Sequence, residues 1–161
     1  WQRRHDPEQS RVTYLARAWI ADVPLSLLIV AMVGWITGIP APSYEGYPIA
    51  RVLLAMCVFA PVGETLLLAL LLWILRYVLP TRLHHWRALI AAALWALFHS
   101  LAKRWWGVEV FWPFVIFSIC YVTWEKKSIW QAIALTTILH IAHNAVPAVM
   151  LIISRYSSQG V

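Results

Sequence analysis

The sequence predicts an all-α fold, a polytopic bundle of about five transmembrane helices forming one domain over residues 1–161. Three observations carry this. Of 161 residues, 61% are hydrophobic and only 12% are charged, too little polar surface for a soluble domain of this size. Mean hydropathy is +0.69. The apolar residues also fall into runs near the roughly 20 residues that cross a hydrocarbon core about 30 Å thick.

Taken in order, the runs and their breakers give helices over 14–36, 49–79, 86–102, 108–124 and 128–153. The first ends where Gly38-Ile39-Pro40-Ala41-Pro42 begins a stretch that cannot continue a helix. The second closes at Pro80-Thr81-Arg82-Leu83-His84-His85. At about 31 residues, or about 46 Å, it is too long to cross straight, and Pro61 predicts a kink just before Gly63-Glu64. Neither a repeat nor a low-complexity tract interrupts the chain. It opens at Trp1 with a polar stretch that has no signal-peptide core, and we expect further residues upstream. Cys57 and Cys120 lie inside apolar runs and read as small buried hydrophobes.

The charge balance, 13 Lys+Arg against 7 Asp+Glu, concerns orientation and not nucleic acid, because no basic group forms a sustained patch with interleaved aromatics. With the N-terminus cytoplasmic, Arg3, Arg4, Arg11, Arg17, Arg76, Arg82, Arg87, Lys126 and Lys127 gather inside, leaving Arg51, Lys103, Arg104 and Arg155 outside. Tryptophans fit the same arrangement: Trp19, Trp73, Trp86, Trp124 and Trp130 at the inner interface, Trp35, Trp105, Trp106 and Trp112 at the outer. Trp95 falls mid-span and is expected to pack. Arg17 and Asp22 lie toward the inner end of the first span, where they snorkel or pair without chemistry. Glu109, Glu125, His84 and His85 read as loop or interface groups.

Ionisable and amide groups deep in a span are costly and mark candidate functional sites. Four qualify: Glu64 in Ala60-Pro61-Val62-Gly63-Glu64-Thr65, His99 one turn after Trp95, and His140 with Asn144 in Leu139-His140-Ile141-Ala142-His143-Asn144. At a rise of about 1.5 Å per residue, Glu64, His99 and His140 lie roughly 18, 20 and 18 Å from the inner ends of their spans. Three polar groups on three helices thus share one level, and Asn144 stacks one turn from His140. His143 alone reads as a hydrogen-bonded bundle residue.

The sequence carries no His-Glu-x-x-His pair, Gly-x-Ser-x-Gly elbow or phosphate-cradling loop. One carboxylate with imidazoles and an amide suits water activation by Glu64, with donors stabilising a tetrahedral oxyanion. Asparagine is a poor zinc ligand, so we expect no metal and no cofactor.

Over about residues 55–150 these elements resemble the CAAX-protease and bacteriocin-processing (type II CAAX prenyl endopeptidase-like) family of glutamic intramembrane endopeptidases. Its motifs read Glu-Glu-x-x-x-Arg, Phe-x-x-x-His and His-x-x-x-Asn. Here Thr65 replaces the second Glu, Ala69 stands at the Arg and Trp95 at the Phe. The resemblance implies that Glu64 activates water, that His99 is its partner, and that His140 and Asn144 form the oxyanion side. It implies a substrate pocket at Thr65, Trp95 and Ala69, and a membrane-anchored peptide or protein as substrate, with partner subunits in the bilayer also possible. The setting it implies is the bacterial inner membrane. Two other readings stay open: an inactive relative that scaffolds a membrane partner, consistent with the substituted Glu and Arg, and a membrane anchor in which His99 with His140 or His143 ligates haem b.

Overall fold

The computed structural model describes residues 10–39, 44 and 46–159, the side chains of 158 and 159 excepted. Arg3, Arg4 and the loop residues 40–43 and 45 lie outside the described residues. The fold is an all-α polytopic bundle of α1 (Arg11–Thr37), α2 (Ile49–Val78), α3 (Arg87–Ala102), α4 (Trp106–Trp124) and α5 (Ile129–Gln159). A turn of 3₁₀ helix at Thr81–Trp86 leads into α3.

Four of these helices, α1, α2, α4 and α5, are long and apolar enough to cross a membrane, and the chain is an integral membrane protein. The third expected span is the short one. With 16 residues, α3 is about 24 Å long, and it stops at Lys103. Helix α5 runs on to Gln159, past the expected end near 153, because Ser154, Arg155 and Ser157 are polar without breaking a helix. Arg155 anchors that extension by donating to the carbonyls of Tyr44 and Tyr47, just before α2 begins.

Helix α4 is the hub. Half of its apolar window is buried, against 22–33% for the other three spans, and it packs on α1, α2, α3 and α5. Three-residue and four-residue links join it to α3 and α5, which makes these neighbours antiparallel. The core runs through Leu68 and Leu72 of α2, Ala91 and Ala92 of α3, Phe114, Phe117 and Cys120 of α4, and Ala132 and Leu139 of α5. Outward, Val12, Trp35, Phe59, Tyr77, Leu101 and Trp130 are exposed. Such an apolar exterior is a liability in water and a requirement in lipid.

Two tryptophans depart from their expected interfacial places. Trp124 is 1% exposed, because Tyr14 of α1 meets it edge-on at 5.6 Å. Trp19 turns inward and donates its indole N–H to the Ala142 carbonyl at 3.0 Å. At the end where α3 begins and α4 ends, the buried Arg87 forms an ion pair with Glu125.

Helices α3 and α4 approach closely at Gly107, where a Cβ would collide with the Ala96 carbonyl and the Ser100 hydroxyl. Gly107→Ala is therefore expected to cost about 1–3 kcal/mol by overpacking. The check is thermal unfolding in lipid nanodiscs: a lower transition at unchanged helicity is expected, and an unshifted transition would contradict the close approach.

Candidate active site

Helix α2 passes through a π-turn at Ala55–Phe59, where the Ala60 N–H reaches back five residues to the Ala55 carbonyl. Pro61 follows directly. In the same register the Met56 carbonyl would pair with the N–H of residue 61, which proline lacks. An orphaned carbonyl inside a membrane is costly. Asn144 of α5 resolves it, its side-chain amide donating to the Met56 oxygen at 2.8 Å. The expected kink at Pro61 thus takes the form of a π-turn braced from a neighbouring helix.

About two turns beyond the braced carbonyl, the carboxylate of Glu64 lies 3.8 Å from Nε2 of His140. That is too long for a direct hydrogen bond and short enough for one water to contact both. The Glu64 side chain keeps 28% of its surface exposed, whereas His140 is buried. His140 is held by aromatics of α4: Phe117 stacks on it at 4.4 Å and Phe114 meets it edge-on at 5.7 Å.

His99 of α3 is buried beside the same cluster. Its ring lies 5.7 Å from Phe114 and 4.7 Å from Trp106. Nδ1 donates to the Trp95 carbonyl at 3.0 Å, and since a carbonyl only accepts, the proton is on Nδ1, an arrangement that in the neutral tautomer leaves Nε2 as an acceptor. Phe114 therefore touches both the His99 and His140 rings.

Of the expected site residues, Glu64 and His140 form a pair, His99 joins them across Phe114, and Asn144 engages backbone. Thr65, Ala69 and Trp95 are all buried, and Ala69 and Trp95 belong to the packed core. Trp95 lies 5.2 Å from Phe114. A separate apolar groove of about 390 Å³ runs between α1 and α5, lined among others by Leu15, Trp19, Ile20, Ile138 and Ala142. Among the described residues, no three His, Cys, Asp or Glu side chains gather closely enough to hold a metal ion.

Sequence reasoning assigned no chemistry to Asp22 or His143, yet they pair. Asp22 is completely buried and accepts a hydrogen bond from Nδ1 of His143 at 2.8 Å. The available signal was depth: with α1 starting at Arg11, Asp22 sits about 16 Å along the helix, near mid-membrane, with Ser26 one turn on.

The chain matches no family model, no curated protein and no solved structure.

If Asn144 serves the carbonyl that Pro61 strands, the two positions must be coupled. Asn144→Ala alone is expected to cost about 1–3 kcal/mol, the penalty of an unpaired buried acceptor. After Pro61→Ala, which restores an N–H, the same change should cost less, by a coupling of about 1 kcal/mol. A double-mutant cycle of unfolding free energies in bicelles checks this, and strict additivity would refute the link.

Proposed function

We propose that this chain is an intramembrane endopeptidase that hydrolyses a peptide bond of a membrane-anchored peptide or protein. The observation that carries the reading is the Glu64 carboxylate beside His140 Nε2 at a spacing one water bridges, inside a bundle whose exterior is apolar. Hydrolysis at that depth needs a base that keeps a water localised, and a carboxylate facing an imidazole does so.

In the proposed reaction Glu64 takes a proton from water as the oxygen adds to the carbonyl carbon. The resulting oxyanion is stabilised by imidazole N–H from the His140 side, and by the amide proton of Asn144 not given to Met56. Glu64 then returns its proton to the amine nitrogen as the C–N bond breaks, leaving acid, amine and an ionised Glu64. His99, with Nε2 open, orients the water or the attacked carbonyl. The family resemblance of Glu64, His99, His140 and Asn144 supports the assignment. The same reading places the chain in the bacterial inner membrane with its N-terminus cytoplasmic, as the Lys/Arg asymmetry favours.

One observation favours a second reading, a non-catalytic relative that scaffolds a membrane partner. Asn144 is already committed to backbone through one of its protons, and Thr65 and Ala69, at the substituted Glu and Arg positions, are buried in packing.

Reconstituted protein separates the two. Against a panel of fluorescence-quenched peptides anchored by a transmembrane helix, Glu64→Gln keeps shape and removes the base. It is expected to lower cleavage by at least about 10²-fold. Equal rates for both proteins, or no cleavage by either, would leave the scaffold reading.

A further inference from the structure

Asp22 and His143 stand apart from the chemistry proposed above. Asp22 lies in α1 with no exposed surface, and both of its oxygens are occupied, Oδ1 by the Ser26 hydroxyl at 2.9 Å and Oδ2 by His143 Nδ1 at 2.8 Å. Burying two ionisable groups in a helix interface is poor glue, because desolvation offsets most of the attraction. Its attested value lies in fixing one geometry among several. That geometry concerns the catalytic helix: His143 follows His140 by three residues and precedes Asn144 directly. The preceding carbonyl, Ala142, is held by Trp19 of the same α1. Helix α1 thus grips α5 at two consecutive residues, once through backbone and once through a side chain. Phe117 completes the link, stacked on His140 at 4.4 Å and edge-on to His143 at 5.7 Å.

We propose that Asp22 and His143 are a positioning pair which fixes the rotation of α5 about its axis and so holds His140 against Glu64. This rests on the peptidase reading. A side-chain tip about 5 Å from a helix axis moves about 1 Å when the helix turns by about 10°. A misplacement of that size costs on the order of 10²-fold in rate.

The test uses full-length chain in proteoliposomes and the quenched, helix-anchored peptide that it cleaves fastest. Asp22→Asn is isosteric and removes the charge. It is expected to lower kcat by about 10²-fold, with KM within about twofold and an unchanged melting temperature. Exchanging the partners, Asp22→His with His143→Asp, should recover most of the kcat, because the pair and not either residue is what matters. Ser26→Ala, which removes only the second hydrogen bond to Asp22, should lower kcat less and in the same direction, and it decides the matter if Asp22→Asn does not fold. Unchanged kcat in either variant beside an inactive Glu64→Gln overturns this proposal alone, as does a kcat loss that merely follows the melting temperature, or an exchange that recovers nothing. Equal cleavage by wild type and Glu64→Gln, or none by either, removes the peptidase reading and this proposal with it.

Discussion

Every backbone carbonyl inside lipid must find a donor within the protein, and prolines in the spanning helices make that constraint specific. A proline removes one N–H and pushes the preceding turn open. Among the described residues, Pro24, Pro61, Pro113 and Pro147 sit in α1, α2, α4 and α5. Within the five residues before Pro24, Pro61 and Pro147 lies a carbonyl that takes a side-chain N–H from another helix: Ala21 from Trp112, Met56 from Asn144 and Ala142 from Trp19. The three bonds link α4 to α1, α5 to α2 and α1 to α5. Apolar packing brings these helices together with little preference for register, and these three directional bonds, one of them to the carbonyl stranded by Pro61, narrow it.

The site inherits its geometry from those bonds. The Met56 brace joins the two helices that carry Glu64 and His140, two turns from Glu64 along α2 and one turn from His140 along α5. The Ala142 bond, with the Asp22–His143 pair beside it, joins α5 to α1 on another side. Phe114 and Phe117 of the central α4 fill the space between and set the imidazole planes. A carboxylate in such surroundings is held by what its neighbours are fastened to, so residues that touch neither Glu64 nor His140 bear on the distance between them.

Much of the fold was legible because hydrophobic run length and turn chemistry act locally. The helices begin and end within about three residues of the expected positions, except at the polar C-terminal extension of α5, where loss of apolarity was mistaken for loss of helix. The convergence of Glu64 and His140 was legible too, since rise per residue converts sequence position into depth. What periodicity cannot supply is the partner. It placed Asn144 on the His140 face without revealing that a π-turn upstream of Pro61 would present a carbonyl to it. A starting point three residues late for α1 made Asp22 look shallower than it is, and hid that its partner is His143. Trp124 was read as interfacial from its place at a helix end, whereas Tyr14 of a distant helix covers it.

The central claim, that a proline-stranded carbonyl is met by Asn144, can be read from a single vibration. With Met32 and Met150 replaced by leucine, 1-¹³C-methionine labels Met56 alone among residues 1–161. In nanodiscs the isotope-shifted amide I band should lie at the frequency of a hydrogen-bonded carbonyl and move up toward that of a free one in Asn144→Ala. A band that does not respond to the loss of the Asn144 amide would contradict the account.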